Sequence, residues 1–493
     1  MTTLPLATTA RQSFFIARFQ PLVFLSAVEF FVSFSFFGLH NILVLFLIKN
    51  KGFADILAYS LWKDFATLSF ISALLGGFVG GRYLPFKLAA LVGLNFMLGG
   101  YLLLCGSDHS SLPTLRVGLA FIACGSGLFG PNARNLLGTL YQKQTSRYQG
   151  FTCYHFADML GQTIGPILLT YLSLHSSIGI FSAASFSIVA GVIIFLIIYF
   201  KTQSPLSNNV SALYLPPTNF TALKGWTIVF ISAGIVLGAM YTQTTGSLLV
   251  VWAVGVGGAF LFILIQSSYR TRIRFITLLL LLGGLFVAEV CFREAVSVLT
   301  VFTDRQVNCV IGHTAVPAGM FISFEPLFVM LLVPFFVWMW KKLESHGMRV
   351  TAGTSFSVGL GFIGLAYGSL VVGILATHAG VPISVGWLLL CYGLMAMGEL
   401  LILPIGIAAV TQYAPKRWMG FWMGCWLLSI SFSSYLCGLT GQWISPASGM
   451  TTLATYRNLF IVLACLALTS GLILFLVWKY WWKKHCLVLT EGD

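Results

Sequence analysis

The sequence predicts an all-α integral membrane protein, and three observations carry that expectation. The 493 residues are 58% hydrophobic and only 8% charged, with a mean hydropathy of +0.92. That balance excludes a water-soluble globular chain and a disordered one alike. Apolar stretches long enough to cross a bilayer as helices recur along the whole length. The 27 Lys and Arg residues are unevenly placed when the chain is threaded through alternate sides. Most, including Arg11, Arg18, Arg82, Lys87, Lys143, Arg147, the Arg270/Arg272/Arg274 trio, Lys341, Lys342, Lys416, Arg417 and Lys483, fall on the side of the N-terminus. The opposite loops clearly hold only Lys49, Lys51 and Arg305. This is the positive-inside bias, which puts both termini in the cytoplasm. The net charge of +14 therefore reports orientation and gives no reason to expect a nucleic-acid partner.

In chain order, apolar runs predict helices near 21–48, 54–80, 84–105, 115–141, 149–173 and 177–200. A polar, Pro/Asn/Ser-rich segment at 201–224 follows, read as a cytoplasmic linker, so its sequons at Asn209 and Asn219 lie out of reach of glycosylation. Two more apolar helices, about 225–242 and 246–268, form an inserted hairpin. Six others lie near 274–302, 318–342, 351–376, 382–412, 418–442 and 454–482. The count is six, two and six: 12 core helices in two six-helix halves plus a two-helix insert, 14 in total. The expected division is a bundle at 1–200, the linker, the hairpin at 225–270, a second bundle at 271–483 and a cytoplasmic tail at 484–493. Pro131, Pro166, Pro326, Pro334 and Pro404 fall inside these runs; in membrane bundles such residues are tolerated where neighbours satisfy the freed backbone groups. They read equally as hinges or as packing kinks.

The first span, EFFVSFSFFGLHNILVLFL from Glu29, contains one carboxylate and one imidazole. Glu29, Ser33, Phe36, Phe37 and His40 recur at helical spacing and share a face. An ionisable group at the centre of a membrane helix costs roughly 2.5–3.5 kcal/mol on insertion scales. Either Glu29 faces a wet cavity or a partner, or it lies near the interface and snorkels. Of the 13 acidic residues, Glu29, Asp64, Asp158, Glu289, Glu294, Glu325 and Glu399 all fall inside apolar runs. Within the runs they face Lys63, Arg134 and Arg293, a formal −4. A buried carboxylate without a partner takes up a proton, so such groups are credible proton carriers. His40 and His155 add further titratable groups near neutral pH, although for each one alone a hydrogen-bonded packing role is the better reading. The 10 cysteines are scattered without a CxxC pair, which argues against a zinc site or a disulfide framework. No Ser/His/Asp arrangement or phosphate loop suggests an enzyme. No metal or cofactor is expected; a proton gradient would supply the energy.

Several stretches resemble one family, the proton-coupled oligopeptide transporters of the major facilitator superfamily. They are GSGLFGPNARNLLGTLY at 125–141, GFTCYHFADMLGQTIGPILLTYL at 150–172, FREAVSVLTVFTDR at 292–305, FISFEPLFVMLLVPFFVWMW at 321–340 and MGELLILPIGIAAVTQYAPKRWMGFWMGCWLL at 397–428. The last matches best, with Gly398, Glu399, Pro404, Gly406, Ala414, Pro415, Met423, Gly424 and Trp426 in register. The first span fits through Glu29, Phe34 and Gly38. The two-helix insert resembles prokaryotic members, which implies a bacterial inner membrane. The resemblance implies proton-coupled uptake of di- or tripeptides or related amino-acid-like solutes, by rocking of two halves about a midplane site.

The departures are as informative. Val32 and Ser33 stand where the first-helix motif has Glu and Arg, Phe36 and Phe37 replace two tyrosines, and His40 stands where Arg is usual. Gly130 replaces a Lys, Gly81 an Asp, and Met159, beside Asp158, an Asn. Arg293 falls on the proton-titrating Glu, with Glu294 next to it, and Glu325 replaces an Asn. The family holds a peptide's carboxylate with Arg and Lys of the first half and its ammonium near the Glu at Glu399. Here the acidic half survives while the basic half is absent from its usual places. Three cations could compensate. Arg134 either reaches a central cavity or caps groups at the cytoplasmic end. Arg293 either touches the solute or bridges to Glu289 four residues before it. Lys63 adjoins Asp64, about 100° away around the helix, so the two need not pair. The expected proton-coupling residues are Glu29, His40, Asp64 and Glu294. The expected solute-binding residues are Glu399, Glu325, Trp426, Phe36, Phe37, Asn132, Arg134 and Arg293. Two rival readings remain open: a cationic or amine-bearing solute, suggested by the excess of acid, and a non-transporting sensor or scaffold on the same fold.

Overall fold

A computed structural model describes residues 6–106, 111–139, 144–201, 219–346, 351–378, 381–414, 418–445 and 452–490. The linker at 202–218, with the sequon at Asn209, and the end of the tail lie outside them. The helices are α1 (Leu6–Lys49), α2 (Asp55–Val79), α3 (Phe86–Gly106), α4 (Leu112–Thr139), α5 (Gln144–His175), α6 (Ser177–Lys201), α7 (Asn219–Thr242), α8 (Thr245–Gln266), α9 (Tyr269–Val296) and α10 (Val298–Gln306). A short 3-10 helix (Ala318–Ser323) leads into α11 (Phe324–Ser345), followed by α12 (Ala352–Ala376), α13 (Val385–Tyr413), α14 (Met419–Ile444) and α15 (Leu453–Thr490). With α9 and α10 taken as one interrupted rod, these are the 14 expected helices. Among the described residues, twelve spans are long and apolar enough to cross a membrane; α2 and α5 are not among them.

Two expected single helices are interrupted, each for a local reason. The run expected at 274–302 is interrupted at Ser297, the turn residue between α9 and α10, with φ −101° and ψ −75°. Just beyond it, the Thr300 hydroxyl donates to the carbonyls of Ala295 (3.2 Å) and Val296 (2.9 Å), competing with the backbone ladder. The run expected at 318–342 begins as a 3-10 turn. Pro326, in the first turn of α11, has no N–H to bond back to residue 322, so the regular ladder starts only there.

The chain divides into two compact units. The first holds residues 1–39 and 71–241, and the second holds 40–70 and 242–493. The division runs through α1 and α2 and separates α7 from α8, so it follows contacts rather than sequence order.

In the first unit α3 packs along α4, and α6 covers α3. The approach of α3 to α4 depends on glycine: a Cβ at Gly93 would meet the Phe129 nitrogen at 2.6 Å, and one at Gly100 the Gly118 carbonyl oxygen at 2.7 Å. Small residues let membrane helices approach this closely, because packing must replace the hydrophobic drive that lipid does not supply. In the same way α5 lies against α1, where a Cβ at Gly161 would meet the Phe30 carbonyl oxygen at 2.6 Å. After α2, Gly81 adopts φ +73°, and its N–H donates to Leu84 O (2.8 Å), closing the tight turn to α3.

In the second unit α12 packs on α13 and α15, α9 contacts α12, α13, α14 and α15, and α11 packs on α13. The tips of α1 and α2 belong here. Tyr59, Trp62 and Phe65 are fully buried, and the Trp62 indole donates to His40 O at 3.0 Å. At the end of α10, Arg305 forms a two-pronged bridge to Asp55 (2.6 and 2.8 Å), and Lys49 meets Asp304 at 2.6 Å. Beyond it β1 (Val307–Asn308) pairs in parallel with β4 (Ile383–Ser384), and β2 (Val310–Ile311) pairs with β3 (Thr314–Ala315) as a hairpin.

Candidate functional site

In the first unit, polar side chains of α1, α4 and α5 form one cluster. Glu29 is only 4% exposed. The Tyr154 hydroxyl of α5 donates to its Oε2, and Arg134 Nη2 of α4 stands 4.0 Å from its Oε1. One turn along α1, the Ser33 hydroxyl donates to Asp158 Oδ1 (2.5 Å), to which Gln162 also donates (3.1 Å). His155 Nδ1 lies 3.9 Å from Asp158 Oδ2. Tyr154 and Asp158 are four residues apart and so present the same face of α5 to α1. The Arg134 side chain remains 54% exposed although its head approaches Glu29. The sequence left Glu29 without its customary cationic neighbour; here a cation one turn further along α4 and a phenol take that place. Tyr154 carries no mark in the sequence beyond its spacing from Asp158.

Asn132 and the two phenylalanines are placed differently. Asn132 is fully buried and its amide donates to Gly76 O (3.0 Å) and Leu128 O (2.7 Å), pinning α4 to α2. Phe36 is buried, Phe37 is half-buried, and their rings meet edge to face with centroids 5.1 Å apart. His40 falls in the second unit, fully buried, with Nδ1 3.1 Å from Asn41 Oδ1 and its ring against Trp62 and Phe65.

In the second unit the acids gather on α9, α11 and α13. Glu289 accepts from Arg293 Nη2 (3.0 Å) and Nε (3.3 Å), and the guanidinium lies 5.2 Å from the Phe70 ring centroid. This is the i, i+4 bridge that the spacing allowed. Glu294, 1% exposed, receives the Thr440 hydroxyl of α14, beside a Ser297–Cys437 contact of 2.8 Å. It therefore lies directly at the α9–α10 break. Glu325 occupies the first turn of α11, at the second break, and Glu399 lies on α13, against which α11 packs. Both are half-buried. Interrupted helices beside ionisable groups are what transporter sites use to expose backbone and side-chain polarity at membrane depth. Trp426 packs on Gly406 and lines an apolar recess with Phe356, Val410 and Trp422. On α2, Lys63 is 8% exposed, its Nζ 4.0 Å from Asp64 Oδ1 and 4.9 Å from the Tyr435 ring centroid. Among the described residues no group of three His, Cys, Asp or Glu side chains is arranged to hold a metal ion.

Comparison with known proteins places this arrangement. A family model described as "POT family" matches residues 87–457. Dipeptide and tripeptide permease A of Pectobacterium carotovorum subsp. carotovorum is 27% identical over 460 residues, 90% of this chain and 88% of the permease. The permease of the same name from Chromobacterium violaceum is 27% identical over 456 residues, 90% of this chain and 89% of that one. Among solved structures, a mutant of the peptide transporter POT in complex with alafosfalin superposes with a TM-score of 0.82 at 22% identity, covering 96% of both chains. A POT family transporter in complex with 5-aminolevulinic acid superposes with a TM-score of 0.81 at 23% identity, covering 94% of this chain and 96% of the other. At these identities the superpositions establish a shared fold.

Proposed function

The chain belongs to the POT family, and from that premise we propose that it takes up di- and tripeptides or related amino-acid-like solutes by alternating access, coupled to protons. It is a multi-pass membrane protein of the major facilitator fold. The curated relatives named as peptide permeases support the solute class. The observation that carries the coupling is the setting of Glu29 and Glu294. Both are buried carboxyl groups held by a neutral hydroxyl, from Tyr154 and Thr440. A hydroxyl can donate to the ionised carboxylate or accept from the protonated acid, so the same contact serves both ends of a proton-transfer cycle. Glu29 and Glu294 are the leading proton sites. Asp64, beside Lys63, is a further one, and His40, packed among aromatic rings, has the weakest geometric support.

For the solute, Glu399 and Glu325 form the ammonium side, with Trp426 and Arg293 on neighbouring helices of the same unit. Arg134, half-exposed in the first unit, is the cation we assign to a solute carboxylate. Phe36 and Phe37 would contribute apolar contact, while Asn132, which pins α4 to α2, has a structural place in this reading. The basic loops support an inner-membrane location with both termini in the cytoplasm, and protons and lipid are the remaining partners.

Uptake by proteoliposomes tests the reading, using a panel of di- and tripeptides, single amino acids and amines, with and without an inward proton gradient. Accumulation of at least one peptide, dependent on the gradient and abolished in Glu399→Gln, is the expected result. Gradient-independent uptake would remove the coupling. No uptake of any compound by correctly inserted protein would favour the sensor or scaffold reading.

A further inference from the structure

Two acids on different helices are tied together by reciprocal contacts in the first unit. Glu29 of α1 accepts from Tyr154 of α5; one turn on, Asp158 of α5 accepts from Ser33 of α1 (2.5 Å) and from Gln162 (3.1 Å). Four residues of helix advance the chain by about 6 Å, so both carboxyl groups belong to one site. Arg134 Nη2 stands 4.0 Å from Glu29, and His155 Nδ1 stands 3.9 Å from Asp158 Oδ2. The surrounding helices add little charge. On α1 the next ionisable residues are Arg18 and His40, about three turns either side of Glu29. Besides Arg134, α4 carries only Arg116, about five turns away. On α5 the Tyr154 phenol and the exposed Cys153 thiol are the nearest. The α6 helix, packed on α5, has no ionisable group before Tyr199 and Lys201 in its last turn.

We propose that the His155–Asp158 pair is a second proton site of the first unit, and that a solute carboxylate enters beside Arg134 only when both this pair and Glu29 hold a proton. The inference deepens the transport reading above and rests on it. With the imidazole neutral, Glu29, Asp158 and Arg134 sum to −1, and a carboxylate brought to Arg134 would make −2. A proton on Glu29 frees the guanidinium to turn to the solute but leaves the charge of Asp158 uncompensated beside it, which is costly at membrane depth. A second proton makes the loaded cluster neutral. His155 is the group placed to take that proton. Asp158 Oδ1 already accepts two hydrogen bonds, while Oδ2 is the oxygen nearest the imidazole; a proton on the ring converts this approach into an ion pair and leaves both bonds in place. Water can deliver it, because the Arg134 and His155 side chains are 54% and 58% exposed, and a guanidinium open to that extent within a membrane bundle faces a wet cavity. On release the order reverses: the solute leaves, and the two protons return to water from His155 and Glu29.

The test is calorimetric binding of dialanine to the purified full-length protein at pH 8, in two buffers of different ionisation enthalpy, which counts the protons taken up per peptide bound. An ordinary imidazole is neutral at that pH. His155→Gln leaves the bonds of Asp158 to Ser33 and Gln162 untouched and should take up roughly one proton fewer than the wild type. Asp158→Asn, which removes the partner of the imidazolium, should show the same deficit. Between pH 7 and 8 the affinity of the wild type should fall about tenfold further than that of His155→Gln. A proton count undiminished in either variant overturns the proposal, whatever happens to affinity, because a histidine that only packs would change affinity alone. Failure of dialanine to bind the wild type overturns it as well. If another member of the uptake panel is then accumulated, the transport reading stands without this inference; if none is, both fall.

Discussion

The bridge between Arg305 and Asp55 should govern how readily the α10 end of the second unit opens. Replacing Arg305 with Gln removes two charge-assisted bonds of 2.6 and 2.8 Å. The side chains are 13% and 15% exposed. The pair thus falls between an exposed bridge, about 0.2–1 kcal/mol, and a buried pair broken on one side, about 3–5 kcal/mol. A cost of about 2–3 kcal/mol follows, equivalent to roughly a 30- to 150-fold increase in local opening. Cys309 supplies the readout, because it lies just after β1 with its thiol 3.6 Å from Thr303 O. Burial, reinforced by the Asp304 carboxylate, pushes that thiol up to about 11 from an ordinary 9.0. At pH 8 the closed state therefore presents about a hundredth of the usual thiolate. Labelling by a membrane-impermeant maleimide, followed on the Cys309 peptide by mass spectrometry, reports the opened fraction. Arg305→Gln and Asp55→Asn should each accelerate labelling by the stated factor, and the double variant should be no faster than either. Unchanged labelling in the single variants, or multiplied effects in the double one, would refute the reasoning. The pH profile adds a check: labelling through the opened state should level off near pH 9 as for an exposed cysteine, whereas direct labelling of the closed state would keep rising towards about 11.

Tyr154→Phe removes the hydroxyl that serves Glu29, a loss of about 1.5–3 kcal/mol for a bond to a charged group. Gradient-driven accumulation should fall while counterflow exchange persists, and equal losses in both modes would argue against a proton role. Asn132→Ala deletes two bonds to backbone carbonyls at 3.0 and 2.7 Å and should lower thermal stability in detergent without altering the ranking of solutes; a changed ranking would place Asn132 in the binding surface. Gly161→Val forces a branched side chain onto the Phe30 carbonyl and should abolish monodisperse protein on size exclusion, whereas Gly258→Val, where a Cβ meets nothing within 4 Å, should be tolerated.

The helices were legible because lipid imposes one solution on the backbone: every span must satisfy its own N–H and C=O groups. Apolar runs therefore located the helices to within a few residues along most of the chain. The breaks at Ser297 and before Phe324 were not read, since a threonine bonding backward and a proline in a first turn are common inside unbroken helices too. The site was legible in its residue types and less so in its pairings. Glu289 and Arg293 were readable because both partners lie on one helix. Glu29 with Tyr154 and Arg134, Ser33 with Asp158, and Glu294 with Thr440 each join separate helices, and only packing decides which faces meet. His40 shows the converse, since a shared face with Glu29 did not bring it into the same cluster: eleven residues further along α1 its surroundings belong to the other unit.

The modest apolarity of α2 and α5 has a consequence for biogenesis. A nascent helix leaves the translocation channel sideways when lipid receives it better than water does, and each central charge opposes this by roughly 2.5–3.5 kcal/mol. Lys63 and Asp64 sit together in α2, and Asp158 lies in the middle of α5. Neither segment carries the apolar surplus of its neighbours, so each is best delivered with a companion already in place. For α2 that companion is α1, which precedes it. For α5 it is again α1, whose Ser33 and Glu29 wait to meet Asp158 and Tyr154. The side chains that give the carrier its chemistry thus also set the order in which its helices can be laid into the bilayer.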